Sequence, residues 1–274
     1  VTKAYRGVLS IAGSDSGGGA GIQGDIKTIS ALGCYATTAI TAVTVQNSMG
    51  VSAIHPIPAE VVIAQVKAVI DDINPLAIKI GMIYSAELAT ALNSLLKAYP
   101  NIPIVFDPVM VSSSGNKLIH ENSVEAFKKS LFPIAHLVTP NLDEAALLAK
   151  MPVRNVDEMK LAAKRILEYG SYAVLLKGGH LSGEDLFDLY IDENGKEEVF
   201  NSKMIPSNNT HGTGCCLSSA IACYLAMGEK LIDAIPKAKE YVHEAILQGK
   251  DVRTGNGHGP LNHFFAPKRL LKTP

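Results

Sequence analysis

Asn209-Thr210-His211-Gly212-Thr213-Gly214-Cys215-Cys216 is a loop of small residues, and the apolar run 217–227 behind it reads as a buried helix. A loop of this kind opens a helix. The first backbone N–H groups of that helix have no partner within it and favour an anion, and the helix dipole adds to the attraction. Gly212 and Gly214 let the backbone approach the anion closely. Cys215 stands where its thiol would face the same charge. The reading is a phosphate site at a turn into a helix, at the end of a chain that alternates strands and helices up to this point.

Working outward, a second helix is expected over residues 231–248. Upstream, residues 185–192 and 197–205 flank Glu193-Asn194-Gly195, the best hairpin signal in the chain. Residues 172–176 form a buried strand that runs into Lys177-Gly178-Gly179. Further back, the runs 7–13, 35–46, 77–83, 102–107 and 136–139 read as strands, rich in Val, Ile and Thr. Helices are expected over 22–32, 58–73, 85–99, 121–132, 142–149 and from Asn155 to Gly170. Ser85, Asn141 and Asn155 have the residue type and position to cap three of them. Strands alternating with helices of this length predict βαβ units and a mostly parallel sheet covered on both faces. The fold class is therefore α/β, with an antiparallel edge at the hairpin. No linker or internal repeat interrupts the pattern, so residues 1–274 read as one domain.

Composition narrows the function. Hydrophobic residues make up 47% of 274 residues, enough for a large core, and a net charge of −1 gives no case for nucleic acid or a membrane surface. No apolar run approaches the roughly 20 residues that span a bilayer. The first residues lack a basic stretch followed by an apolar run, so the expectation is a cytoplasmic protein. Cys34, Cys215, Cys216 and Cys223 have neither metal-like nor disulfide-framework spacing and read as reduced thiols.

In sheets of this kind, ligands bind beyond the carboxyl ends of the strands. That rule selects Asp15 and the glycines after it, Gln46, Met82, Asp107, Asn141, Glu144, Lys177 and the loop at 209–216. Lys177 with two glycines suits a phosphate, or is an ordinary strand exit. Asp107 before Pro108 could hold Mg²⁺ or make a turn. Asn141 and Glu144, three apart at a helix start, could support a metal's water shell or form a capping box. Gly19-x-Gly21-x-x-Gly24 matches a dinucleotide fingerprint, but the acid that fingerprint needs about 20 residues on is absent, because Thr44, Val45 and Gln46 stand there. A tight turn beside some other ligand is the favoured reading. No G-x-x-x-x-G-K-[ST] occurs, which excludes a P-loop NTPase.

The ordered set IAGSDSGGGAGIQGDIKT, TAVTVQN, IKIGM, DPVM, TPNLDEA, KGGH, NTHGTGC and HGPLNHF resembles the hydroxymethylpyrimidine/phosphomethylpyrimidine kinases of thiamin biosynthesis. These belong to the ribokinase-like superfamily, with the pyridoxal kinases close by. The resemblance covers nearly the whole chain. It implies a three-layer α/β/α sandwich, ATP and Mg²⁺, a homodimer, and a pyrimidine alcohol phosphorylated first to the monophosphate and then to the diphosphate. It implies a pyrimidine pocket of Gly13, Asp25, Gln46, Met82 and Val109. Backbone N–H groups of Gly212, Thr213, Gly214 and Cys215 would form an anion hole, with Cys215 as general base where many relatives carry Asp. A thiol at a helix N-terminus is expected to have a lowered pKa. Lys177, Gly178, Asn141 and Thr210 would bind the nucleotide, and Asp107 and Glu144 the metal. Thr44 departs from the pattern, standing where an apolar residue is expected near the pyrimidine. Cys216 reads as packing, and His211 and His258 as loop-shaping. The alternatives are a pyridoxal kinase, a nicotinamide oxidoreductase using the glycine turn, and an inactive vitamer-binding protein.

Overall fold

The computed structural model describes residues 3–110, 123–179 and 185–273. One sheet runs through β1 (Gly7–Ser14), β2 (Tyr35–Asn47), β3 (Gly50–Pro56), β4 (Ala77–Ile80), β5 (Ile104–Phe106), β6 (Leu137–Val138), β7 (Ala173–Lys177), β8 (Asp185–Asp192) and β9 (Glu197–Lys203). Its strand order is β3-β2-β1-β4-β5-β6-β7-β8-β9. The strands from β2 through β7 are parallel, and antiparallel pairs close both ends: β2 with β3, β7 with β8, and β8 with β9.

Side chains that alternate along the strands divide the core into two layers. Leu9, Ile11, Ile78, Ile80, Ile104 and Phe106 face one side. There they meet α2 (Ala59–Ile73), α3 (Ala86–Leu96), α4 (Ser123–Ser130), α5 (Leu142–Ala149) and α6 (Val156–Leu167). Val8, Ala77, Val105, Leu137 and Leu175 face the other side. They pack against α1 (Gly21–Ala31), α7 (Thr213–Ala226) and α8 (Leu231–Leu247). Phe106 anchors the first layer, edge-on to Phe127 and Phe132 at 5.9 and 5.7 Å. Burying an aromatic of this size stabilises by about 1.5–3 kcal/mol. The helices thus cover both faces, and the three-layer α/β/α sandwich is what the sequence led us to expect.

The strand order reverses at β1, whose neighbours β2 and β4 are reached by connections running opposite ways. Such a switch point opens a crevice at the carboxyl ends of the two strands. Gly13 at the end of β1 and Met82 just past β4 stand there.

Three details differ from the sequence reading. β3 was not foreseen, because its turn (Asn47-Ser48-Met49-Gly50) carries no Asn-Gly or Asp-Gly pair and its residues are half-exposed or exposed. β4 stops at Ile80 rather than Ile83, since Gly81 and Met82 already belong to the exit loop. α7 starts at Thr213, two residues before the expected Cys215. The hairpin, considered above only as an edge, is zipped onto β7 over five pairs from Ala173↔Asp192 to Lys177↔Asp188, so it extends the sheet rather than forming a detached flap. Residues 111–118, a Ser- and Gly-containing stretch that reads as a loop from the sequence, fall outside the described residues.

Candidate active site

The crevice has an apolar floor. Ala42 and Met82 form a small separate cluster with Val51, Ile54, Tyr84 and Val109 around them. Gly13 touches this cluster so closely that a Cβ there would lie 2.9 Å from Met82 Sδ. Gly13, Met82 and Val109 therefore come together as expected. Gln46 projects beside them from β2, opposite Val51 in the β2–β3 ladder. Its amide contacts Thr44 Oγ1 at 3.1 Å and His211 Nε2 at 3.4 Å.

The glycine turn is already filled from within. Asp15 Oδ1 accepts from the N–H of Gly17 at 2.7 Å, and Oδ2 accepts from Gly19 at 3.1 Å and Ala20 at 2.9 Å. Those amides would have to hold a pyrophosphate in a dinucleotide site, so the oxidoreductase reading loses its physical basis. His211 Nε2 lies 2.8 Å from Asp15 Oδ2 and ties this turn to the loop before α7. Burial would push the Asp15 carboxyl up, but the His211 contact and the Ala20 and Gly17 amides hold it below the usual carboxylate range.

The same loop docks backbone to backbone. Gly212 sits at φ +87°, and a Cβ there would collide with the carbonyl oxygen of Gly19. We expect Gly212→Ala to combine a left-handed strain of about 1–3 kcal/mol with displacement of the glycine turn. A thermal melt and a phosphorylation assay check this: Tm falls by several degrees and activity is largely lost. Asn209 anchors the loop from below by donating Nδ2 to the carbonyls of Gly249 and Val252 at 2.6 and 2.5 Å. His258 is exposed and donates its N–H to the Ser48 carbonyl, a loop-shaping contact.

At the start of α7, the N–H of Thr213 donates to the Thr210 carbonyl at 3.2 Å, and Cys216 donates to Gly212 at 2.8 Å. Thr213 thus has a protein partner where an open anion donor was expected, because the loop closes as a tight turn just before the helix. Between these two bonds lie the amides of Gly214 and Cys215. A Cβ on Gly214 would lie 3.2 Å from Lys177 Nζ and 3.5 Å from Asp107 Oδ2. The helix start therefore faces an ion pair: Lys177 Nζ donates to Asp107 Oδ1 at 3.0 Å, and Thr139 Oγ1 donates to the same oxygen at 2.9 Å. Burial would lower the Lys177 pKa, but Asp107 and Glu144 outweigh it and hold the ammonium charged.

Cys215 corrects the expectation of an acidic thiol. The residue is half-buried, yet desolvation pushes its thiol up to about 11. Lys79 and the Gly21 amide pull it back, while Asp25 and Asp107 push it further up. Packing around sulfur wins over the helix start. Cys216 is buried, with Sγ 2.9 Å from Thr28 Oγ1, and packs as expected.

Asp25 is the clearest misassignment. It was expected to accept from a ligand amine, but it is fully buried between α1 and the sheet. Lys79 Nζ binds both its oxygens at 2.9 and 2.8 Å, Ser10 Oγ donates at 2.5 Å, and Ser219 Oγ donates at 2.8 Å. Its acceptor capacity is engaged below the crevice rather than in it. Lys79 went unnoticed because its position inside a strand reads as ordinary, and a fully buried lysine is rare unless paired.

Gly178 also departs from expectation. Its N–H donates to Asp188 Oδ1 at 3.0 Å, and a Cβ there would collide with the Phe187 carbonyl. Hairpin packing, rather than phosphate contact, explains that glycine. Asn141 and Glu144 form the complete capping box: Asn141 Oδ1 accepts from Glu144 N–H at 2.8 Å, and Glu144 Oε2 accepts from Asn141 N–H at 2.9 Å. Burial raises the Glu144 carboxyl to about 7, opposed by Lys177 and supported by Asp107. Thr210 is exposed, and its carbonyl accepts from Thr213.

No cluster of three or more His, Cys, Asp or Glu side chains occurs among the described residues, so they provide no closed metal cage. Asp107 with Glu144 fits a magnesium that keeps several waters and is held largely by substrate phosphates.

An α/β sandwich with an apolar cluster at the switch point and a helix start aimed at a Lys–Asp pair is the architecture of a small-molecule kinase. The solved pyridoxal kinase of Staphylococcus aureus in complex with pyridoxal shares it: TM-score 0.86, 34% identity, covering 95% of this chain and 94% of that one. The crystal structure of phosphomethylpyrimidine kinase from Clostridium difficile 630 has 42% identity and a TM-score of 0.77, covering 88% of this chain and 99% of that one. The chain belongs to the phosphomethylpyrimidine kinase family, whose model matches residues 15–262. The hydroxymethylpyrimidine/phosphomethylpyrimidine kinase of Rhizobium meliloti is 46% identical, covering 93% of this chain and 96% of that protein. The thiamine biosynthesis bifunctional protein ThiED of Geobacter sulfurreducens is also 46% identical over 94% of this chain, which spans 52% of that protein's length.

Proposed function

We propose that this chain is a single kinase domain. It transfers the γ-phosphoryl group of ATP to 4-amino-5-hydroxymethyl-2-methylpyrimidine and then phosphorylates the monophosphate to the diphosphate. The observation that carries this reading is the meeting of the α7 start with Lys177 and Asp107 at Gly214, in a loop whose His211 also contacts Gln46. Phosphoryl transfer asks a protein mainly for positioning and charge stabilisation, and these groups supply both.

In this reading the ring packs on Met82 and Val109, and Gln46 binds its polar edge. The amides of Gly212, Thr213, Gly214 and Cys215 line the path of the transferring group, Thr213 only by giving up its turn bond. Lys177 neutralises the phosphates, with Asn141 and Thr210 beside the nucleotide, while Gly178 serves the packing of the hairpin. Cys215 Sγ receives the proton of the attacking hydroxyl. Asp107 and Glu144 would hold Mg²⁺, which would offset the negative charge of the phosphates. The setting is the cytoplasm, in keeping with four free cysteines; among the described residues no helix is long and apolar enough to cross a membrane. Exposed Val43, Val45 and Met49 on the β2–β3 hairpin support a homodimer, which light scattering tests.

Pyridoxal is the second acceptor to weigh, because the overall shape fits the pyridoxal kinase at least as well. Turnover of both acceptors, side by side with ATP and Mg²⁺, tests the choice. The pyrimidine should be the faster, and a pyridoxal rate well above it would reverse the assignment. Gln46→Ala should raise KM for the pyrimidine about tenfold, the size of one or two lost hydrogen bonds, and leave KM for ATP unchanged. A loss confined to ATP would move Gln46 out of the acceptor pocket.

A further inference from the structure

The departure at Thr44 and the histidine at 211 meet at one side chain. Thr44 and Gln46 are two apart on β2 and share a face of the strand. Thr44 Oγ1 lies 2.9 Å from the Ser14 carbonyl oxygen and 3.1 Å from Gln46 Oε1. Gln46 Nε2 lies 3.4 Å from His211 Nε2, which is itself 2.8 Å from Asp15 Oδ2.

Counting protons decides the polarity of this chain. The Thr44 hydroxyl has a single proton, and the Ser14 carbonyl can only accept it, so Oγ1 donates to Ser14 and must accept from Gln46. At the other end, Asp15 is an acceptor, held as a carboxylate by three amides. The His211 nitrogen facing it, Nε2, therefore carries a proton. Two donors would then meet if the Gln46 NH₂ group also faced His211. Rotating the amide half a turn removes the conflict at both ends: NH₂ donates to Thr44, and the carbonyl oxygen, rather than a second donor, faces the polarised N–H of His211, whose single proton goes to Asp15. The two amide orientations occupy the same space, so only hydrogen bonding separates them.

We propose that Asp15, His211 and Thr44 are positioning residues that lock the Gln46 amide in this one orientation and so set acceptor specificity. The inference rests on the pyrimidine reading of the pocket above. Locked this way, Gln46 keeps one N–H on its Thr44 side and one carbonyl lone pair on its His211 side for a ligand. A ring nitrogen beside an exocyclic amine, the edge of an aminopyrimidine, offers the acceptor and donor in matching order. A ring without the amine forfeits one bond. An apolar residue at 44 would leave the amide free to turn and to accept more varied ring edges.

The test compares wild type with Thr44→Val, which keeps shape and loses the hydroxyl, and Thr44→Ser, which restores it. KM for the pyrimidine alcohol should rise about three- to tenfold in Thr44→Val, the scale of one neutral hydrogen bond, and return toward wild type in Thr44→Ser. KM for ATP should not move; Thr44→Val also frees the Ser14 carbonyl and lowers Tm slightly, so the recovery of pyrimidine KM in Thr44→Ser, with ATP unaffected throughout, separates positioning from a structural defect. His211→Asn, which cannot span the gap from Asp15 to Gln46, should raise the same KM even if its stability drops. Wild type is assayed first, and no pyrimidine turnover there overturns the substrate reading and this inference with it. With an active wild type, an unchanged pyrimidine KM in Thr44→Val overturns the orientation alone.

Discussion

Cys215→Ala is expected to lower kcat by about two to four orders of magnitude, the usual contribution of a positioned general base. KM for either substrate should change little, because alanine keeps the helix start and removes only sulfur. The high thiol pKa makes the prediction sharper. With its thiol pushed up to about 11, Cys215 is mostly protonated at neutral pH. If the thiolate takes the hydroxyl proton, wild-type kcat must climb as pH rises from 7 toward 10, following the thiolate fraction. In Cys215→Ala that climb should vanish while the residual rate stays flat. Two results would remove Cys215 as the base: turnover within about twofold of wild type, or a variant that keeps the rising limb. Alkylation by iodoacetamide gives a second readout of the same group, since it follows the thiolate and should quicken over the same pH range.

The layered fold was legible because it rests on periodicity, which a sequence displays directly. β1, β5 and β7 are short apolar runs between breakers, and α2 and α6 carry regular apolar stripes. The meeting of the α7 start with Lys177 and Asp107 was legible for a similar reason. A small-residue turn before a buried helix announces its own backbone geometry, and Lys177 and Asp107 each end a strand on the same edge of one sheet. The helix caps at Ser85, Asn141 and Asn155 formed as read; what failed was the judgement of where acids away from the caps spend their hydrogen bonds. Asp25 sits one turn into α1, where nothing local distinguishes a ligand contact from a buried ion pair. Its partners Ser10, Lys79 and Ser219 come from β1, β4 and α7, so only tertiary structure assembles them. Asp15 was similarly hidden: as the first acid of a glycine turn it looked ligand-facing, but its own loop's amides consume it. β3 was missed because an exposed edge strand needs no strong hydrophobic signal. Its ladder to β2 supplies the hydrogen bonds instead.

Lys79→Met should be the most damaging substitution for stability. The side chain is fully buried, and so is its partner Asp25. Burial alone would drive the ammonium toward neutrality, but Asp25 opposes this and holds its pKa above the usual lysine range. Methionine removes the cation and leaves a carboxylate in the interior with only Ser10 and Ser219 as donors. Breaking one side of a buried pair costs about 3–5 kcal/mol. In a chain of this size that corresponds to a drop in Tm on the order of 10 °C, read by calorimetry or a melt followed by circular dichroism. Lys79→Met with Asp25→Asn should recover more than half of the loss, because the asparagine carbonyl still accepts from both serines and no net charge is left buried. An unchanged Tm in the single variant would mean the pair adds nothing to folding. Activity in the double variant asks why the pair exists, since an apolar substitute of equal volume is often no less stable. Ser219, which grips Asp25, lies four residues after Cys215 and hence one turn below it on the same face of α7. Lys79 is also the strongest charge pulling the Cys215 thiol toward ionisation. A double variant that regains its fold but stays slow, with its pH-dependent limb moved to higher pH, would assign the buried cation to the chemistry of Cys215. One that regains both would leave it as scaffold.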